Sequence, residues 1–303
     1  MREDVEFQVE DGTTLRGYFH SGGDVPRPCI VLAHGFSGVK EQIDHYAAAF
    51  AAAGFSSLVY DHRGFGGSDG APRLEVNPYQ QIEDWRDALS FAESLPAVDA
   101  DAGFGVWGSS YAGGLAAVIG ANDSRVRCVV SQIPNVSGHR NSREMFSRPQ
   151  LRLIQDRLRE DRQARRLGKE PVMIPVFSTD PEELCALPPV VHSRFIELSS
   201  VGAPEWENQV TLRSVGHMIE FEPAGWFPYL APKPWLMIVG RSDTTTFPEI
   251  QLEAFAMARE PKHVVMHAGG HFQTYVAHFE ETSKAATDWF LRHLVANQRR
   301  DSR

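Results

Sequence analysis

The stretch Gly103-Phe104-Gly105-Val106-Trp107-Gly108-Ser109-Ser110-Tyr111-Ala112-Gly113-Gly114 decides how the chain is read. An apolar run of strand length passes through Gly-x-Ser into a run of small helix-compatible residues, the pattern a nucleophile elbow requires. Such an elbow forces its serine into a strained backbone conformation, so the flanking side chains must be small. Gly108, Ala112, Gly113 and Gly114 meet that demand around Ser110. Alanine at position 112 departs from Gly-x-Ser-x-Gly but is still small enough. Centring the motif on Ser109 would need a small residue where Trp107 stands. The alternative reading is a plain glycine-rich turn, since short motifs also arise by chance.

Outward from the elbow the chain alternates short β-rich runs with helical patterns, the signature of a mainly parallel sheet covered by helices. Val5–Val9 and Leu15–Phe19 alternate about Asp11-Gly12 and predict an opening antiparallel hairpin. Strands are expected at Cys29–Ala33, Ser56–Tyr60, Gly103–Trp107, Val126–Ile133, Trp235–Gly240 and Val264–Met266. Helices are expected at 41–53, 79–95, 111–119, 249–259 and 282–296, the second from the spacing of Ile82, Trp85, Ala88 and Leu89. The alternation stops after Pro134 and resumes near Pro232. Residues 1–134 and 232–303 therefore read as one α/β core, and residues 135–231 as an inserted, mainly helical lid.

With the elbow in this setting, the sequence resembles the α/β-hydrolase family. The resemblance implies a mostly parallel eight-stranded sheet flanked by helices and a triad in the chain order nucleophile, acid, histidine. The acid, expected after a late strand, falls on Asp243 behind Pro234-Trp235-Leu236-Met237-Ile238-Val239-Gly240. The histidine, expected in the loop after the next strand, falls on His271, where Gly269 and Gly270 free the loop to reach the elbow. In triad chemistry His271 takes the proton of Ser110, while Asp243 holds the imidazole and stabilises its cation. Asp243 as a helix-capping turn residue, and His267 or His278 in place of His271, remain open alternatives.

A tetrahedral oxyanion needs two preorganised donors. The resemblance points to the backbone N–H of Tyr111, after the nucleophile, and to that of Phe36 in His34-Gly35-Phe36; a simple tight turn is the other reading of this second segment. Asp61-His62-Arg63-Gly64-Phe65-Gly66-Gly67-Ser68 resembles the family's Asp-x-Arg-Gly-x-Gly-x-Ser loop. It lacks the Gly-Lys-Ser/Thr ending of a phosphate loop and reads as structural, with Arg63 fixing it. No His-Glu-x-x-His or paired-cysteine spacing occurs, so neither a metal nor a cofactor is expected. Six arginines and Lys169 in 152–170 alternate with acids and read as a solvated helix face.

The insert carries Met145, Phe146, Phe195, Trp206, Met218, Phe221, Trp226 and Phe227. Most should hold the lid to the core; Trp206, Met218 and Phe221 are the candidates for an apolar substrate cleft. Trp206–Ser214 resembles the lid helix of a branch related to dienelactone hydrolases, fungal polyketide thiohydrolases among them. The Gly-x-Ser-Tyr start also resembles proline-specific and cocaine-esterase-like serine hydrolases, over the core only, and the chain length leaves no room for their C-terminal β-domain. The resemblance implies a serine hydrolase that cleaves a carboxylic ester, lactone or thioester of a hydrophobic small molecule through an acyl-enzyme. A serine peptidase or amidase of the proline-specific type and a non-catalytic ligand-binding relative are the alternatives. Homodimers occur among the enzymes it resembles, and a homodimer is expected by analogy.

Composition narrows the partners. Thirty basic against 39 acidic side chains in 303 residues, a net charge of −9, argue against a nucleic-acid binder. No run approaches 18 apolar residues, so no membrane span is expected. Cys29 and Cys128 sit in apolar runs and read as small buried hydrophobes, and Cys185 stands far from both. With no secretory pattern at Met1–Glu10, this points to a cytoplasmic protein.

Overall fold

The computed structural model describes residues 1–180, 182–187 and 202–295. Eight strands form one sheet: β1 (Arg2–Gln8), β2 (Thr14–His20), β3 (Cys29–Ala33), β4 (Ser56–Tyr60), β5 (Phe104–Ser109), β6 (Val126–Gln132), β9 (Trp235–Gly240) and β10 (Lys262–His267). Their spatial order is β1-β2-β4-β3-β5-β6-β9-β10. The hairpin β1–β2 and its junction with β4 are antiparallel, and every later neighbour is parallel. The sheet is thus the mostly parallel one expected of an α/β-hydrolase.

Parallel strands are covered on both faces, which is why they read as unbroken apolar runs. In β3 every residue is buried, and the side chains alternate between two cores. Cys29, Val31 and Ala33 join helices α2 (Pro78–Glu93), α3 (Tyr111–Asn122) and α7 (Pro248–Met257). Ile30 and Leu32 join α1 (Asp44–Ala52) and α8 (Phe279–Phe290) on the opposite face. Helix α2 starts where it does because Asn77 accepts from the backbone N–H groups of Tyr79 and Gln80, and Pro78 takes the first helical position.

Strand order places the site. From β3 the chain goes to β4 on one side and then crosses to β5 on the other. The carboxyl ends of β3 and β5 therefore flank the crevice at which open α/β sheets bind ligands.

Between β6 and β9 the chain leaves the sheet and forms α4 (Gly138–Met145), α5 (Arg148–Arg166), α6 (Leu212–Glu220) and an antiparallel pair, β7 (Met173–Ile174) with β8 (Val210–Thr211). That pair is not foreshadowed in the sequence, and it corrects the reading of Trp206–Ser214 as a helix, because α6 begins only at Leu212. Asn208 causes the difference. Its side chain accepts from Phe177 N at 3.0 Å and donates to Phe177 O at 2.9 Å, holding residue 208 out of a helix and beside residue 177. Phe195 lies outside the described residues. Phe146 and Phe227 are buried in the core, whereas Trp226 is 43% exposed. Cys29, Cys128 and Cys185 are free and buried, and burial pushes all three thiol pKa values up. No helix among the described residues is long and apolar enough to cross a membrane.

The glycine-rich loop after β4 is structural in its contacts. Arg63 donates to both carboxylate oxygens of buried Asp84, at 2.7 and 2.6 Å, and to Asp11 at 2.7 Å. Asp61 accepts from Lys40 N and Lys40 Nζ at 2.7 Å each and from Gly67 N at 3.0 Å. Burial raises the Asp61 pKa to about 6, with the Lys40 ammonium opposing the rise.

Candidate active site

Ser110 stands between β5 and α3 with φ 57° and ψ −122°, a conformation that side-chain-bearing residues avoid. Three backbone bonds impose it. Ser110 N donates to Gln132 O at 2.8 Å, and Ser110 O accepts from Gly113 N at 3.0 Å and from Asn135 N at 2.9 Å. The turn leaves no room beneath it, since a Cβ on Gly108 would come 2.0 Å from the Ala112 carbonyl oxygen. The sequence pattern and the strain thus share one cause: strand and helix meet without space for side chains.

His271 Nε2 lies 2.9 Å from Ser110 Oγ, and its Nδ1 lies 2.8 Å from Asp243 Oδ2. A carboxylate only accepts, so Nδ1 carries the proton and Nε2 is left to accept from the serine hydroxyl. Both Asp243 and His271 are buried. Asp243 Oδ1 takes the backbone N–H groups of Thr245 and Thr246 at 2.8 and 2.9 Å, and the Thr246 hydroxyl lies 2.9 Å from Oδ2. The alternatives are engaged elsewhere. His267 bonds Thr274 and Gly269 N, His278 faces Glu281, and Ser109 donates to the Tyr275 hydroxyl.

Tyr111 opens α3, so its N–H has no acceptor within the helix and sits at the positive end of the helix dipole. The His34-Gly35-Phe36 loop passes against the elbow: a Cβ on Gly35 would lie 3.2 Å from Ser110 Cβ. His34 fixes that loop from behind. Its Nε2 accepts from His62 N at 3.0 Å and its Nδ1 donates to Gly35 O at 2.9 Å. Burial lowers the His34 pKa to about 4, which keeps the ring neutral as that bonding requires.

Phe36, Tyr111, Ser110 and His271 line one cleft that opens partly to solvent. Trp206 and Met218 line it as expected, and Trp206 Nε1 donates to Ser37 O at 3.0 Å, tying the insert to the loop after β3. Phe221 is a correction: it does not line the cleft. Its ring packs 5.7 Å from that of Tyr111 and braces the start of α3 from behind. Sequence reasoning missed Asn135, Asn141, Phe177 and Phe272 in the walls and Thr246 behind the acid. The run Asp243-Thr244-Thr245-Thr246 did carry a signal, because an aspartate that caps its own downstream N–H groups is a common turn.

Comparison with known proteins agrees with this fold. Residues 20–273 match the family described as X-Pro dipeptidyl-peptidase (S15 family). A thiohydrolase of Eupenicillium brefeldianum is 31% identical over 266 residues, covering 86% of this chain and 84% of its own. The quorum-quenching protein AidA of Acinetobacter baumannii is 31% identical over 295 residues, covering 96% and 95%. The solved structure of DcsB in complex with its substrate analogue superposes with a TM-score of 0.85 at 28% identity, covering 97% of this chain and all of that one. The chain belongs to the X-Pro dipeptidyl-peptidase (S15) family and, with it, to the α/β-hydrolase superfamily of serine hydrolases.

Proposed function

We propose that the protein cleaves a carboxylic ester, lactone or thioester of a hydrophobic small molecule through an acyl-enzyme on Ser110. The observation that carries this reading is the hydrogen-bonded chain Ser110–His271–Asp243 at 2.9 and 2.8 Å. Ser110 Oγ attacks the substrate carbonyl carbon as its proton passes to His271 Nε2. The N–H groups of Phe36 and Tyr111 bond the oxyanion. Collapse expels the alcohol or the thiol, which takes the proton from His271 and leaves the imidazole free to act as base again. Water then attacks the acyl carbonyl, gives its proton to His271, and the free acid departs as Ser110 is reprotonated. Asp243 stays ionised throughout and stabilises the imidazolium.

The similarity to a thiohydrolase and to a quorum-quenching protein supports an ester-type bond. A peptidase that removes dipeptides must hold the substrate's free ammonium with an acid. Among the described residues lining the cleft there is neither aspartate nor glutamate, and this disfavours the peptidase reading. Residues 135–231 act as the cap over the cleft, with Trp206 and Met218 as substrate contacts. A cytoplasmic location and a homodimer complete the proposal, and are tested by fractionation and by light scattering.

The test pairs chemistry with labelling. Wild-type protein should hydrolyse short p-nitrophenyl esters and react stoichiometrically with a fluorophosphonate, and the Ser110→Ala protein should do neither while remaining folded. Retained hydrolysis in the variant would overturn the assignment of the nucleophile, and an unreactive wild type would favour a ligand-binding relative.

A further inference from the structure

The cleft beside Ser110 is walled mainly by apolar side chains, among them Met145, Phe177, Leu187, Met218 and Phe272. Polar side chains interrupt that wall, among them Gln42, Asn135 and Asn141. Asn141, on α4, is 2% exposed, and its Nδ2 donates to Asn135 Oδ1 at 2.8 Å. Asn141 Oδ1 is buried and has no hydrogen-bond partner among the described residues. A buried acceptor without a donor is costly, and native proteins seldom keep one without a reason.

The acceptor is also fixed in position. Asn135 N donates to the Ser110 carbonyl, so the main chain of the partner residue is pinned to the elbow itself. Helix α4 is held at its start: Gly138 N donates to Phe221 O at 2.8 Å, and Ser137 Oγ donates to Glu222 Oε1 at 2.9 Å. A Cβ on Gly138 would come 1.7 Å from Met218 O, so α4 lies directly on the backbone of α6. With the helix so placed, the bond from Nδ2 to Asn135 orients the Asn141 amide. A substrate group that donates a hydrogen bond would satisfy it, and a purely aliphatic one would bury it unpaired. Sites built around such an acceptor discriminate far more strongly than apolar walls do by size.

We propose that Asn141, held by Asn135, is a specificity determinant that reads a hydrogen-bond donor, a hydroxyl or an amide N–H, on the hydrophobic body of the substrate. The natural substrate class is then a hydroxylated or amide-bearing ester, lactone or thioester rather than a plain fatty ester. This deepens the hydrolase reading and rests on it.

The experiment measures kcat/KM for p-nitrophenyl octanoate and for its derivatives with a hydroxyl, an acetamido group or a ketone walked along the chain from the second carbon to the seventh. The wild type prefers the hydroxyl or acetamido derivative over plain octanoate by about tenfold to a hundredfold at one or two positions. In Asn141→Leu, and in Asn141→Ala as a second variant, that ratio falls to about one. No preference at any position in the wild type, a ratio retained in a folded variant, or a preference for the ketone, which only accepts, overturns the proposal. The wild-type scan decides by itself if neither variant folds. Calorimetric binding of the same esters to the Ser110→Ala protein separates the two readings. A donor preference in binding with no turnover by the wild type would sink the hydrolase reading alone; turnover with no preference would sink this inference alone.

Discussion

Thr246 meets Asp243 twice: its backbone N–H bonds Oδ1 at 2.9 Å, and its hydroxyl lies 2.9 Å from Oδ2, the oxygen that also holds His271. The hydroxyl also lies 3.3 Å from His271 Nδ1. One side chain thus fixes both the carboxylate and the ring that it orients. Thr246→Val keeps the shape and removes the hydroxyl. We expect kcat/KM on p-nitrophenyl butyrate to fall roughly tenfold, mainly in kcat, because orientation rather than binding is lost. A loss confined to KM would contradict a positioning role.

Gly108→Ala tests the close approach beneath the elbow. The added methyl would meet the Ala112 carbonyl oxygen at 2.0 Å, a backbone atom that cannot rotate away. The expected outcome is a loss of about 3 kcal/mol or more of stability, read as a lowered urea midpoint or as insoluble protein. A variant as stable as the wild type would mean that the elbow is looser than its geometry.

Arg63→Ala separates a structural role for the glycine-rich loop from a binding one. Asp84 is fully buried and would lose its bidentate partner. Breaking a buried pair from one side costs about 3 kcal/mol or more. Unfolding should shift accordingly, whereas KM for neutral esters in the protein that remains folded should not. A raised KM with normal stability would reverse the assignment.

His34 links the site to acid stability. Its pKa is lowered from 6.5 to about 4 by burial, so the unfolded chain binds a proton between those values that the folded chain refuses. The stabilisation is complete above about pH 6.5 and is lost as the pH falls towards about 4, amounting to roughly 3 kcal/mol in full. Buried His62 is shifted in the same direction. His34→Gln can donate to Gly35 O and accept from His62 N without titrating. Denaturation followed across this window should show a slope shallower by about 1.4 kcal/mol per pH unit. An unchanged slope would place the proton elsewhere.

The elbow, the order of Ser110, Asp243 and His271, and the strands that carry them were legible because their signals are local. A strained serine demands small neighbours within a few residues, and buried parallel strands are apolar along their length. The oxyanion donors were legible only through resemblance, since a backbone N–H carries no residue type. The insert resisted reading for the opposite reason. The facing of Phe221 and the late start of α6 depend on contacts such as Asn208 with Phe177, 31 positions apart. Asn135 and Asn141 belong to no motif, and only the fold brings them beside Ser110.

The way α4 rests on the backbone of α6 also bears on how such an enzyme would diversify. Around Ser110 and Gly138 almost any replacement collides with main chain, so inherited change there is close to forbidden. Met145, Phe177 and Leu187 line the cleft with large side chains, and exchanging them should reshape it while leaving the reactive geometry in place. A laboratory lineage selected for new substrates should therefore accumulate its changes on those walls, and the elbow should come through unaltered.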